Sequence, residues 1–104
     1  MQLPFLQRAL PHARVTPLLT CEAPPAEVGA VLAALWGGPE TLVVISTDLS
    51  HYHPYAVARE LDHATAAQVL ALDETALTPE RACGAAGLAG LLWLARHKGL
   101  RPVQ

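Results

Sequence analysis

The sequence predicts an α/β fold, with a partial sheet of the parallel type and flanking helices. Two segments, residues 14–19 and 41–46, are predicted to be strands, and helical patterns alternate with them along the chain. The second segment is apolar without alternation, which is typical of a strand covered on both faces. The predicted order is helix, strand, helix, strand, helix, helix, and this order is typical of parallel strands connected by helices.

Proline and glycine mark the predicted ends of the elements in the first half of the chain. Residues 1–10 are predicted to form a helix that ends at Pro11, because proline cannot continue a helix without losing a hydrogen bond. Pro17 lies within the first predicted strand and favours an edge position for it. The second helix is predicted over residues 26–36, and two glycines and a proline follow it.

Two further helices are predicted in the second half of the chain. Residues 54–72 place apolar side chains and one threonine on a single face at helical spacing; these residues are Ala58, Leu61, Thr65, Val69 and Leu72. Thr78 and Pro79 predict the start of the last helix, and Gly99 predicts its end. Two strands are few for this fold class, in which sheets have about five or six on average.

The composition excludes several classes of function and indicates that some apolar surface is covered. The 104 residues are 52% hydrophobic and 15% charged, whereas about a quarter is the usual charged share. Self-association or a completing chain would cover this apolar surface. The chain has no basic run for nucleic acid and no apolar run long enough for a membrane. Two cysteines are too few for a disulfide framework, so we expect a cytoplasmic protein.

The segment STDLSHYH, residues 46–53, is the first candidate site, because it follows the second predicted strand. Ligand sites in α/β proteins lie beyond the carboxyl ends of strands. His51 can act as a general base or a metal ligand, or be an ordinary loop histidine. Asp48 can orient that imidazole or stabilise a turn. His53 precedes Pro54 and is interpreted as a structural residue at the start of a helix.

Cys83 is the second candidate, because it lies near the predicted start of the last helix. A helix N-terminus favours the thiolate form of a cysteine, which is both a nucleophile and a metal ligand. The alternative is a cysteine that serves as a small apolar side chain. Two ligands do not make a zinc site, since structural sites use four protein ligands and catalytic sites use three.

Four stretches of the chain resemble the Memo-like family, which in bacteria and archaea includes the AmmeMemoRadiSam system protein B. These stretches are QLPFLQRAL, VVISTDLSHYHPY, ELDHATAAQVLALD and ACGAAGLAGLLWLARHKG. The resemblance implies a fold like that of the class III extradiol dioxygenases. It also implies a cleft that binds iron or copper, with Cys83 as a metal ligand, His51 beside the metal as a catalytic residue and Asp48 next to it.

The same resemblance implies that residues 1–104 are a single Memo-like domain fragment. The family's two metal-binding histidines belong to N-terminal segments that have no counterpart here, and its C-terminal end has none either. We therefore expect an incomplete metal site. The expected ligand of the cleft is an unidentified small molecule or peptide.

Three hypotheses of function follow from the sequence and the resemblance. The first is a metal-dependent oxidative role related to the dioxygenases. The second is a non-enzymatic module that binds a metal or a peptide. The third is an inactive truncated remnant, and the sequence leaves the question of enzymatic activity open.

Overall fold

The computed structural model describes residues 2–75, 77–79 and 82–103, and its regular elements are four helices. They are α1 (Leu3–Ala9), α2 (Pro25–Leu35), α3 (Tyr55–Leu70) and α4 (Ala85–Lys98). The first three lie within two residues of the predicted helices at each end. Within the described residues, no helix is long and apolar enough to cross a membrane.

The prediction of an α/β fold with a parallel sheet is wrong, because the described part of the chain contains helices and no strand. Both predicted strands, 14–19 and 41–46, lack the ladder of backbone hydrogen bonds that defines a sheet. From Thr41 to Leu49, side chains alternate between half-buried and exposed. This alternation is typical of extended chain with one covered face. The apolar sequence therefore indicated extended chain at residues 41–46. It did not indicate whether this segment pairs with a strand, and the expected burial of both faces is wrong.

The last helix begins six residues later than predicted, at Ala85 rather than Pro79, because a turn comes before it. The N–H of Ala82 donates to the carbonyl of Thr78 at 3.0 Å, and Gly84 is the residue that precedes α4. Cys83 therefore lies in the turn before the helix rather than inside it. Part of the predicted start, residues 80 and 81, lies outside the described residues. The predicted end is confirmed: Gly99 has a φ of 68°, the left-handed conformation that favours glycine after a helix.

The core lies between α2 and α4, which cross at two glycines. A Cβ atom at Gly90 would collide with the side chain of Val28, and one at Gly29 would collide with Trp93. These close approaches bury Val28 and Leu32 of α2, together with small and aliphatic residues of α4. The sequence pattern of glycine and alanine in α4 is therefore a requirement of helix packing.

The face predicted for α3 is confirmed. Ala58, Leu61, Val69 and Leu72 are half-buried and Thr65 is fully buried. The hydroxyl of Thr65 donates to the carbonyl of Leu61 at 2.9 Å, so this buried polar group has a hydrogen-bond partner. On the other side of the molecule, Arg96 of α4 forms an ion pair with Glu74 at 3.0 Å. This pair connects the chain after α3 to α4.

Candidate functional site

The candidate site forms where the turn before α4 meets the chain that leads into α3. The N–H of Asp48 donates to the Sγ atom of Cys83 at 3.1 Å. In return, the N–H of Cys83 donates to the carbonyl of Asp48 at 3.2 Å. Two reciprocal hydrogen bonds fix the register of two segments that are 35 residues apart in sequence.

Thr47 reinforces this junction with its side chain. Its Oγ1 atom accepts a hydrogen bond from the N–H of Gly84 at 2.8 Å and donates one to the carbonyl of Asp48 at 2.8 Å. The same hydroxyl lies 3.8 Å from the sulfur of Cys83. The threonine therefore satisfies a backbone N–H at the start of α4 and contacts the candidate metal ligand.

Gly84 allows the two segments to approach closely. A Cβ atom at this position would lie 2.7 Å from both the carbonyl oxygen of Ser46 and the Cβ of Thr47. Such distances are shorter than van der Waals contact, and one of the atoms belongs to rigid backbone. The φ of −92° at Gly84 is open to any residue. Glycine is therefore required here for space rather than for conformational freedom.

Asp48, His51 and Cys83 form a cluster of potential metal ligands. Each offers one donor atom, and the three atoms all lie within 4.8 Å of one another. Zinc bonds to these atom types are about 2.0–2.3 Å long, so the donor atoms around one tetrahedral ion lie about 3.3–3.8 Å apart. All three residues are exposed, and their side chains would have to rotate to bring the donor atoms to this separation. Three protein ligands would leave one open position on a four-coordinate ion.

A backbone feature at Tyr52 separates the two histidines of the segment. Tyr52 has a φ of 57°, and its side chain is fully exposed. Residues with bulky side chains seldom adopt this left-handed conformation, and such conformations often occur at functional sites. His51 lies before this bend, near Cys83. His53 lies after it and acts electrostatically on Asp62 of α3.

Asp62 anchors the candidate loop to α3. Its Oδ1 atom accepts hydrogen bonds from the N–H of Ser50 at 3.0 Å and from the hydroxyl of Ser50 at 2.8 Å. These two hydrogen bonds lower the pKa of Asp62 below its ordinary value of 3.8, and the positive charge of nearby histidines adds to the effect. Asp48 and Ser50, which both precede His51, are therefore fixed by hydrogen bonds to other segments.

The comparisons with known proteins identify the family of the chain. The family model described as Memo-like protein matches residues 1–101. The chain belongs to the Memo-like family. A search among curated proteins and a search among solved structures each found no match.

Three residues chosen from two separate motifs of the sequence meet in space. Asp48, His51 and Cys83 were selected from the sequence, and the structure brings all three together. Their roles as catalytic residues or metal ligands stay predictions. The sequence analysis did not identify Thr47, Ser50 or Asp62. A signal was present for the first two, because hydroxyl side chains alternate with the candidate acid and histidine in STDLSH.

Proposed function

We propose that this Memo-like chain contributes Cys83, His51 and Asp48 to a metal-binding cleft. The observation that carries the proposal is the convergence of one sulfur, one imidazole and one carboxylate within 4.8 Å. The hydrogen bonds between Asp48 and Cys83 support it further, because they hold the sulfur of Cys83 next to the backbone of Asp48 before a metal arrives. Such preorganisation lowers the cost of assembling a site from distant segments.

The donor set favours some metals over others. Thiolate is a soft ligand that favours copper or zinc, whereas the resemblance to the dioxygenases implies iron or copper. Ring-cleaving iron sites of the usual kind use two histidines and a carboxylate. Here Cys83 takes one of those places, and a thiolate is itself oxidised by reactive oxygen species. Copper is therefore the metal that satisfies both the donor set and the resemblance.

The residues themselves suggest how the cleft would work. When bound, the metal would supply a Lewis acid or a one-electron redox centre at its open position. His51 would hold or release a proton beside that position, or coordinate the metal directly, because one imidazole cannot do both through the same nitrogen. Asp48 would neutralise positive charge at the exposed edge of the cleft. The ligand that fills the open position would be a small molecule or a peptide.

The finer identity of the protein forms part of this proposal. The motifs resemble AmmeMemoRadiSam system protein B, so we propose a metal-binding role in that bacterial and archaeal system.

A second candidate function is a non-enzymatic module that binds a metal or a peptide. The exposure of all three donors favours this alternative, because oxidative enzymes usually exclude water from the reacting centre. The third hypothesis, an inactive remnant, predicts that no selective metal binding occurs.

Cobalt(II) binding tests the proposal, because thiolate coordination produces a charge-transfer absorption band. We expect one cobalt ion per chain with such a band in a Cys21→Ser background, which removes the other exposed cysteine. Cys83→Ser should abolish the band. His51→Ala should weaken binding by about tenfold or more, since changes around metal ligands commonly cost about 10–100-fold. His53→Ala is the matched control and should leave the affinity unchanged.

Copper(I) competition with a chelator of known affinity would then rank the metals. The proposal fails if the thiolate band survives Cys83→Ser, or if His51→Ala and His53→Ala have equal effects. It also fails if the chain binds no metal more tightly than a peptide with one cysteine, a result that would support the inactive remnant. Stoichiometric metal without turnover of any oxidisable substrate would favour the non-enzymatic module.

A further inference from the structure

Two polar groups lie next to the sulfur of Cys83. The N–H of Asp48 donates to it at 3.1 Å, and the Oγ1 atom of Thr47 lies 3.8 Å away. Sulfur is larger than oxygen, so its hydrogen bonds are longer, and this second pair can form one in which either atom is the donor. The side chain of Thr47 is half-buried, whereas Cys83 is exposed. The sulfur therefore has hydrogen-bonding groups of the protein beside it and is accessible to a metal ion.

The hydroxyl of Thr47 has one proton and two acceptor positions, so its partners can be counted. One acceptor position takes the N–H of Gly84 at 2.8 Å, and the proton goes to the carbonyl of Asp48 at 2.8 Å. The second acceptor position can take the S–H of Cys83 while that residue is a thiol. In the metal-free protein, each donor in this group therefore has an acceptor.

Metal binding changes this count, because cysteine binds a metal as the thiolate. The bond between sulfur and hydrogen breaks, the proton passes to water, and the sulfur bonds to the metal. The sulfur then has no proton to donate to Thr47 and is a stronger acceptor, since it carries negative charge. The carbonyl of Asp48 keeps a partner, because it also accepts from the N–H of Cys83 at 3.2 Å. The hydroxyl of Thr47 can therefore leave this carbonyl at little cost, by a rotation that moves only its hydrogen atom.

We propose, on the basis of the metal site proposed above, that Thr47 is a positioning residue for the thiolate of Cys83. Its hydroxyl turns from the carbonyl of Asp48 to the sulfur when a metal is bound, and it continues to accept from the N–H of Gly84. The thiolate then accepts two hydrogen bonds, one from Thr47 and one from the N–H of Asp48. Hydrogen bonds to a cysteine sulfur withdraw electron density from it, so the sulfur donates less to the metal.

The energy of the thiolate-to-cobalt charge-transfer band tests this role, because the band moves to longer wavelength as the thiolate becomes a stronger electron donor. At saturating cobalt(II) in the Cys21→Ser background, Thr47→Val should shift the band to longer wavelength, and Thr47→Ser should leave it near its wild-type position. We expect Thr47→Val to weaken cobalt binding about tenfold, since changes beside metal ligands commonly cost about 10–100-fold. Thr65→Val is the matched control: it removes a hydroxyl that donates to the carbonyl of Leu61 within α3, so the band should not move.

The position of the band separates this role from a purely structural one, which would change the affinity but not the band of the saturated protein. An unshifted band in Thr47→Val would overturn the role of Thr47 and leave the proposed metal site intact, whereas a wild-type chain without a thiolate band would overturn both. An equal shift in Thr47→Ser or in Thr65→Val would also overturn it, as would complete loss of the band in a folded Thr47→Val protein. If Thr47→Val does not fold, Thr47→Ala removes the hydroxyl without adding bulk and is compared with Thr47→Ser in the same way.

Discussion

Two neighbouring parts of one extended segment differ in whether they form hydrogen bonds with the rest of the chain. Residues 47–50 include the polar residues Thr47, Asp48 and Ser50, which form hydrogen bonds with the turn before α4 and with α3. Residues 42–45 are apolar and form none within the described part of the chain. Neither stretch contains a turn or a bend. The difference therefore lies in the partners that the rest of the chain offers, and not in the local conformation.

In the polar stretch, other parts of the chain supply hydrogen-bond partners. In the apolar stretch, the chain covers one face of the segment and leaves the other exposed. Side chains of Thr47 and Asp62 connect the polar stretch to two separate helices. The candidate metal ligands lie within this connected part. Variants that break these connections should disturb the site.

The largest expected effect is that of Gly84→Ala. The added methyl group would lie 2.7 Å from the carbonyl of Ser46 and would separate the two segments. Overpacking of this kind costs about 1–3 kcal/mol of unfolding free energy. We also expect the loss of cobalt binding, because Cys83 would move away from Asp48. Urea denaturation and the cobalt titration measure the two effects.

Gly87→Ala is the matched control for this change. Gly87 is also buried against the extended chain, but a Cβ there would lie 3.6 Å or more from its nearest neighbours, which is ordinary contact. Replacing a glycine inside a helix with alanine stabilises it by about 0.5–1 kcal/mol. Gly87→Ala should therefore retain the metal site and be at least as stable as the wild type. Equal destabilisation by both changes would show that the close approach at Gly84 is not what fixes the site.

A smaller effect is expected for Thr47→Val, which keeps the shape of the side chain and removes its hydroxyl. The N–H of Gly84 would lose its acceptor, at a cost of about 1 kcal/mol. Thr47→Ser keeps the hydroxyl and should restore most of the stability. Thermal unfolding monitored by circular dichroism distinguishes the variants. If serine were less stable than valine, the methyl group rather than the hydroxyl would be responsible.

The helices could be predicted from the sequence because their signals are local. These signals depend only on residues that are close in sequence. They are the prolines near the start of α2 and α3, the glycine after α4 and the helical spacing of the face centred on Thr65. Strand pairing is not local, and apolar composition does not say which segment supplies the hydrogen bonds. Residues 41–46 have the alternating burial that is typical of extended chain, but the prediction that they form part of a sheet is wrong. The late start of α4 depended on the contact between Gly84 and Thr47, which no local pattern reveals.

The choice of candidate residues did not depend on the fold prediction. His51 and Cys83 were chosen for their chemistry and for their place in family motifs, and neither choice required the sheet to be correct. Asp62 was missed because an acid on a helix face usually faces solvent, and its partner Ser50 lies 12 residues away in another segment. Long-range hydrogen bonds of this kind depend on tertiary structure.

The smallest expected effect is the change with pH in the stability that Asp62 contributes to the folded protein. Its pKa is lowered chiefly by the two hydrogen bonds from Ser50, so the ionised form stabilises the folded state. This stabilisation is fully present above the ordinary value of 3.8 and is lost as the pH falls through the lower pKa of the folded protein. The difference in stability between wild type and Asp62→Asn should therefore be constant near neutral pH and shrink in acid. Urea denaturation at a series of pH values measures it.

Asp73 provides the matched control, because its pKa is also lowered, here by hydrogen bonds from the side chain and backbone of Thr75. Asp73→Asn should show the same shrinking difference in acid. The two variants should differ in cobalt affinity near neutral pH, since Asp62 fixes Ser50 next to His51 and Asp73 lies in the turn after α3. Weaker cobalt binding in Asp62→Asn alone would show that α3 positions the site. Equal cobalt affinity in the two variants would mean that the contacts with the turn before α4 suffice to hold His51 beside Cys83.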